Sequence, residues 1–308
     1  MLRFTIRRLL ELIPVLLAVV TVTFFLIRLA PGGPFTAERN YPEDAIQRMN
    51  EFYGLDDPLP IQYLNYLACA IRGDLGPSIH NPTRTVNDII AQNFPVSLEL
   101  GLYAMVFALL FGLASGLSAA LRHNQWWDHL VMPVAMTGIC VPSFVIGPVL
   151  ALVCGLHYGW FNVAGWEEPS DRVLPAITLG LGVAAYIARL SRGSMLEVLP
   201  QDYIRTARAK GLNEGQILIR HALKNAMIPV VSFLGPAAAG IITGSFVVET
   251  IFQIPGLGRM FVMSAFNRDY PLILGLVAFY AVIVVFFNLL VDLCIAWLNP
   301  RTRAHTVA

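Results

Sequence analysis

Charge is what this sequence has least of. Asp, Glu, Lys and Arg make up 13% of its 308 residues against 56% hydrophobic. Mean hydropathy reaches +0.63, beyond what a chain of this size with a fully solvated surface carries, so an integral membrane protein is predicted. Lysine is nearly missing: Lys210 and Lys224 are the two in the chain, and neither follows a glycine. The phosphate-cradling G-x-x-x-x-G-K-[ST] loop is therefore absent, and the chain does not hold ATP in that way. Cys69, Cys140, Cys154 and Cys294 stand alone, which indicates neither a disulfide framework nor a paired metal motif. H-E-x-x-H and G-x-S-x-G are also absent. No catalytic residue, metal ligand or bound cofactor is assigned to this chain. A net charge of +1 gives no field that would recruit nucleic acid.

What is present is a set of long uncharged runs. A spanning helix needs about 20 mostly apolar residues, and six runs qualify. They lie between Glu11 and Arg28, Glu99 and Arg122, Asp128 and Glu167, Arg172 and Arg189, Lys224 and Glu249, and Asp269 and Asp292. The first and fourth are short, so Glu11, Arg28, Arg172 and Arg189 are expected at interfaces, snorkelling outward. The third has room for one helix and an uncharged loop near Gly155 to Gly165. An all-α polytopic fold with six transmembrane helices is predicted. The segments holding Arg3, Arg7, Arg8, Arg205, Arg208, Lys210, Arg301 and Arg303 carry a basic excess, which places them and both termini in the cytoplasm. Arg28 and Pro31 flank the place where a signal peptide would be cut, so the first run is expected to stay as a helix.

The expected organisation is a stub and first helix at 1–30, an external helical segment at 31–95, a five-helix core at 96–298 and a cytoplasmic tail at 299–308. Within 31–95, Pro42, Glu43 and Asp44 can start a helix that buries Ala45, Met49 and Phe52 and stops at Gly54. A second is expected from Pro60 to Arg72, and a third from Arg84 to Asn93 behind Thr83 as cap. This segment reads either as a vestibule or docking surface, or as a connector packed on the helix ends. In the cytoplasmic stretch, Asp202 can cap a helix that Gly211 ends, and Asn213 can cap a second with Gln216 as its box partner. Thr206, Ala207 and Ala209 are small enough to admit a close partner, and Arg205 and Arg208 share a side. The competing reading is that these cations only obey the positive-inside rule or touch anionic lipid.

The strings DYIRTARAKGL (202–212) and IRHALKNAMIPV (219–230) resemble the cytoplasmic coupling loop of ABC importer membrane subunits, most closely the oligopeptide-permease branch. So do RLAPGGPF (28–35), FYGLDDPLPIQYLNYL (52–67), RGDLGPS (72–78), NFPVSLELG (93–101) and GSFVVETIFQIPGLGRMF (244–261). The general coupling pattern is E-A-A, three residues, Gly, nine residues, then I-x-L-P. Gly211 aligns, but Arg205 and Thr206 replace Glu and Ala, and Pro229 is the available proline. The resemblance implies a type I permease fold and a pore subunit of a bacterial inner-membrane peptide importer. Its partners would be a second related membrane subunit, two cytoplasmic ATPases that hold ATP and Mg, and a periplasmic peptide-binding protein. The coupling residues implied on the 202–224 hairpin are Tyr203, Arg205, Thr206, Ala207, Arg208, Ala209, Lys210, Gly211, Leu212, Arg220 and His221.

Prolines punctuate the runs at Pro133, Pro142, Pro148, Pro175, Pro229 and Pro236. Pro142, Ser143 and Phe144 are expected to form a kink, either a pathway gate or a packing bend. Glu249 to Arg259 reads as an external turn, which by resemblance borders the outer mouth of the pathway. Gly112 with Gly116, and Gly240 with Gly244, have the spacing of close helix contacts. A self-sufficient proton-coupled carrier using Glu99 or Asp292 is the alternative from another class.

Overall fold

The computed structural model describes residues 2–29, 33–35 and 43–298. Helix α1 is Leu2–Leu29, α2 Glu43–Phe52, α3 Leu59–Ile71 and α4 Val86–Leu121. The basic residues Arg3, Arg7, Arg8, Arg301 and Arg303, with Glu11 and Ala45, have side chains outside the described residues, as does the whole 299–308 tail. Helices α5 (Trp126–Cys140) and α6 (Ser143–Leu150) follow, α6 continuing as a π-helical stretch through His157. Next come α7 (Val173–Val198), α8 (Asp202–Ala209), the short α9 (Glu214–Gln216) and α10 (Leu223–Ala226), and α11 (Ile228–Ile242). Helices α12 (Phe246–Ile251), α13 (Leu257–Phe266) and α14 (Tyr270–Leu298) complete the chain. Among the described residues all regular secondary structure is helical, apart from one isolated bridge between Pro77 and Thr85.

Among the described residues four helical segments are long and apolar enough to cross a membrane: Val86–Leu121, Pro169–Val198, Ile228–Ile251 and Tyr270–Cys294. The pair Trp126–Cys140 and Ser143–His157, bent by 109°, makes a fifth if it counts as one span. The apolar part of α1, Ile13–Leu29, is shorter. These segments correspond in order to the six runs of the sequence, and the number six depends on α1 being a span.

The chain divides into two compact units, one of Met1–Pro95 with Leu257–Ile283 and the other of Val96–Gly256 with Val284–Ala308. In the first, Val86, Ile89, Leu257, Leu272 and Leu276 form a buried cluster. Asp269, fully buried, organises the loop beside it. Its carboxylate caps α14 through the Leu272 N–H at 3.2 Å, and it accepts from the Ser78 hydroxyl and from the Ile79 and His80 N–H groups, each at 3.2 Å. Four donors on one carboxylate satisfy what would otherwise be costly buried polar groups.

The external-segment expectations hold in outline and shift in detail. Helices α2 and α3 fall where the prolines predicted, and Gly54 turns the chain at φ +61°. Phe52 is 76% exposed, so it does not join the buried face assigned to it. The cap before α4 is Thr85 and not Thr83. Thr85 Oγ1 accepts from the Asp88 N–H at 3.1 Å while the Asp88 carboxylate accepts from the Thr85 N–H at 3.1 Å, a closed capping box. Nor does the helix stop at Asn93: it runs unbroken through Pro95 to Leu121, because the apolar run that follows continues its hydrogen bonding.

In the second unit α7 is central, with twelve buried residues along it. Glycines set how closely it is approached. A Cβ on Gly116 would lie 2.3 Å from the Ala188 carbonyl oxygen, one on Gly112 2.6 Å from that of Ala184, and one on Gly138 2.2 Å from that of Leu181. Conversely, a Cβ on Gly180 of α7 would lie 2.5 Å from the Ala104 carbonyl. The Gly112 and Gly116 spacing therefore does mark a close helix contact, α4 on α7. Gly240 marks none within this chain: nothing lies within 4 Å of its Cβ position, and Gly244 turns the chain at φ +91°.

Candidate functional site

The hairpin between α7 and α11 is built from strong local signals. Gln201, extended at φ −68° and ψ 151°, is the N-cap of α8, one place before the expected cap, so Asp202 is the first helical residue. Asp202 still serves the helix start, since its carboxylate meets the N-terminal dipole and lies 3.7 Å from Arg205. Gly211 ends the helix at φ +78°, a left-handed conformation that other residues adopt only with strain. Asn213 then accepts from the Gln216 N–H at 2.8 Å and caps α9, as its position predicted. The Tyr203 hydroxyl accepts from Asn225 Nδ2 at 2.9 Å and donates to the His221 carbonyl at 3.5 Å, lacing the two arms.

The hairpin has two faces. Ile204, Ala207, Ile217 and Ala222 are buried against Met195 and Val198, with Tyr203 and Leu212 packed alongside. Arg205, Thr206, Arg208, Ala209, Lys210, Gly211 and Arg220 are exposed, and His221 is half-buried. Ala207 thus faces the core, because the i, i+3 spacing to Ile204 puts both on the inward stripe. Arg208 is also engaged. Its Nε and Nη2 donate to the two carboxylate oxygens of Glu214 at 2.8 and 3.1 Å, a fork across the Gly211 turn. Those hydrogen bonds hold the Glu214 carboxyl below the usual carboxylate range and push the Arg208 guanidinium up. The surface left for a partner is Arg205, Thr206, Ala209 and Lys210.

The second predicted element, around Pro142, is a sharp break. Helix α5 ends at Cys140, Val141 is extended at φ −103° and ψ 122°, and Pro142 caps α6. A residue before proline avoids the helical region, which forces the 109° bend here. Ser143 is half-buried, and Phe144 is 60% exposed.

Glu249 lies in the first turn of α12, not in an external turn, and is fully buried. It accepts from the Ser97 hydroxyl at 3.0 Å, and Gly256 packs so tightly on its carboxylate that a Cβ there would be 2.4 Å away. Ser245 caps the helix, accepting from the Val248 N–H at 3.4 Å.

Two further charge pairs mark the ends of α7. Glu99 is bound to Arg172 at 3.0 Å, and Arg172 also donates to the Glu168 carbonyl and lies 4.7 Å from the Trp166 ring. Towards the other end Arg192 grips Asp128, which is 3% exposed, through two hydrogen bonds. Nothing local in the sequence paired residues 64 positions apart. The signal available was a cation following an apolar helical run and an anion preceding another. Tyr158 and Trp160 stack on the exposed edge of the loop after His157, an amphipathic pair of the kind that sits at a membrane interface. That loop begins at Tyr158, later than expected, because the helix runs on to His157.

Several apolar helices, one broken at proline, with a basic exposed hairpin slung between two of them, define the class: a multi-pass membrane transport subunit. Residues 102–304 match the family model of the binding-protein-dependent transport system inner membrane component, and residues 1–101 match the model of the N-terminal part of such membrane components. The chain belongs to this family. It is 45% identical over 305 residues to the oligopeptide transport system permease protein OppB of Haemophilus influenzae, covering 98% of this chain and 100% of that one. It is 46% identical to OppB of Salmonella typhimurium, with the same coverage. To the dipeptide transport system permease protein DppB of Bacillus subtilis it is 45% identical, covering 99% of each. Among solved structures, the inward-facing MetNI methionine ABC transporter has a TM-score of 0.56 at 16% identity, covering 68% of this chain and 96% of that one. An amino acid ABC transporter gives 0.51 at 18% identity, covering 67% and 92%. The fold is that of ABC importer permeases of type I.

Proposed function

We propose that this chain forms one half of the translocation pathway of a peptide importer and passes oligopeptides or dipeptides from an external binding protein into the cytoplasm. The observation that carries the reading is the end-to-end match to permeases named for oligopeptide and dipeptide transport. The complex would contain a second related membrane subunit, two ATPase subunits that hold ATP and Mg, and a peptide-binding protein. Both termini and the 202–224 hairpin face the cytoplasm in this reading, supported by the basic excess of those segments.

The exposed side of α8 is the ATPase contact. A two-turn helix with Arg205, Thr206, Ala209 and Lys210 outward fits a groove on a partner, while Ile204 and Ala207 anchor it to α7. A force on α8 then moves the end of a membrane helix. Shifting an inward and outward equilibrium from 1:99 to 99:1 takes about 5.5 kcal/mol of differential binding, within reach of ATP and a loaded binding protein together. Pro142, Ser143, Phe144 and Glu249 are the proposed pathway or gate residues: the first three lie at a rigid bend, and Glu249 is a buried anion. The proton-carrier alternative has less to rest on, since Glu99 is neutralised by Arg172.

The test is co-purification from native membranes followed by peptide uptake and ATPase assays in liposomes. Recovery with a second membrane subunit and two ATPases, and uptake that requires ATP and binding protein, is expected. Uptake by the purified chain alone under a pH gradient would overturn the reading.

A further inference from the structure

A cavity of about 430 Å³ lies in the first unit beside the C-terminal end of α1, lined by Arg28, Gln62, Tyr66 and Leu75 among others. Arg28 is half-buried there. Its Nε and Nη2 donate to Gln62 Oε1 at 3.1 and 2.8 Å, its Nη1 donates to the Phe24 carbonyl at 3.4 Å, and its guanidinium carbon sits 3.5 Å from the Phe24 ring centroid. Every one of these acceptors is neutral, and among the described residues no carboxylate pairs with Arg28. A guanidinium has about five N–H donors, so about two remain. The other charged group lining the cavity, Asp57, is exposed to solvent. The Tyr66 hydroxyl is shut away from solvent and has no hydrogen-bond partner. A buried hydroxyl is rarely left so, and a half-buried cation with spare donors is costly without an anion.

A second cavity of about 470 Å³ adjoins it, and Leu75 lines both. This one is apolar, walled by Ile13, Leu17 and Val20 of α1 and by Ala278 and Val282 of α14. From Arg28 to Ile13 the helix rises roughly 22 Å at 1.5 Å per residue. One leaflet with its headgroup, half of a bilayer about 40–45 Å thick, has the same depth.

We propose that the two cavities form one phospholipid site, with the phosphodiester on Arg28 and an acyl chain in the apolar groove. A free anion such as a peptide carboxylate would satisfy Arg28 and leave the groove empty. Only an amphiphile fills both, and that favours a lipid. The site serves as a structural ligand position beside α1, independent of which cargo the chain passes.

The experiment is native mass spectrometry of the full chain with its co-purified subunits, taken from nanodiscs of phosphatidylethanolamine and phosphatidylglycerol and then delipidated in detergent. One retained phospholipid per copy of this chain is expected. Tyr66→Phe should leave the retained fraction unchanged, because the Tyr66 hydroxyl is closed off from the cavity, while Arg28→Gln should lower it about tenfold, the worth of a hydrogen bond to a charged group. Leu17→Trp, placed in the exposed groove wall, should lower it as well. No retention by the unaltered chain, retention undiminished in Arg28→Gln and Leu17→Trp, or displacement by millimolar inorganic phosphate or tripeptide would each overturn the proposal.

Discussion

Arg192 of α7 holds the nearly inaccessible carboxylate of Asp128 at the start of α5 by two hydrogen bonds, 2.8 Å from Nε and 2.7 Å from Nη2. The Asn124 N–H, at 3.1 Å, completes the cage, with His123 3.4 Å away. The pair joins α5 to α7, two helices that Gly138 already allows to lie close, since a Cβ there would fall 2.2 Å from the Leu181 carbonyl oxygen.

Removing one partner of this pair should therefore cost far more than an exposed bridge would. Arg192→Ala leaves the buried Asp128 with the Asn124 N–H and His123 as its remaining partners, a loss of up to about 3 kcal/mol. The double change Arg192→Leu with Asp128→Asn should recover part of it. Thermal unfolding in detergent reads both, and a loss below 1 kcal/mol for the single variant would refute the pairing.

Glycine positions give opposite outcomes by geometry alone. Gly116→Ala would put a methyl group 2.0 Å from Ser191 Oγ and 2.3 Å from the Ala188 carbonyl, forcing α4 away from α7, and overpacking of this kind costs about 1–3 kcal/mol or more. Gly240→Ala meets nothing within 4 Å inside α11, and should stabilise by up to about 1 kcal/mol through helix propensity. Expression level and melting temperature of the two variants should diverge in these directions.

On the hairpin, neighbouring alanines should fail differently. Ala209→Glu and Lys210→Glu alter the exposed face, and should leave folding within about 0.5 kcal/mol while uncoupling ATPase activity from uptake. Ala207→Glu puts a charge into the cluster around Ile204 and Ile217, and should reduce the yield of folded protein before any coupling can be assayed. Uptake preserved in Ala209→Glu/Lys210→Glu would show that α8 does not carry the partner contact.

The Arg208 and Glu214 fork predicts a pH dependence with a definite sign. The Glu214 carboxyl is held below its ordinary value of 4.5 by the two Arg208 hydrogen bonds. A depressed folded-state value means that the contribution is fully present above about 4.5 and is lost as pH falls through the folded-state value. Both groups are exposed to solvent, so the effect is local order at the Gly211 turn and not global stability. Carboxyl-carbon NMR of Glu214 should show the depressed titration, and Arg208→Gln should return it towards 4.5.

How far the sequence could be read depended on the range of the interaction. Hydropathy located every long apolar helix, because crossing a membrane requires an uncharged run in the chain itself. The stop at Gly211, the cap at Asn213 and the bend at Pro142 were equally legible, since each acts within three or four residues. The register of α8 was set one residue late, with Gln201 in the place expected for Asp202, because adjacent polar residues can both serve a helix start.

Tertiary structure alone decided which face of each element looks inward. Ala207 and Ala209 differ by two positions and are chemically identical, yet one is core and the other surface, because Ile204, Ile217 and Met195 converge on the first. Likewise Gly116 and Gly240 carry the same spacing signal, and only the backbone opposite distinguishes a helix contact from open space. Glu249 was expected to open an external turn, and the chain instead holds it in the helix Phe246–Ile251, buried under Gly256 and against Ser97. Local hydrogen bonding and hydropathy are written in consecutive residues, whereas burial is a sum over neighbours brought in from anywhere in the chain, and that sum exists only once the helices have packed.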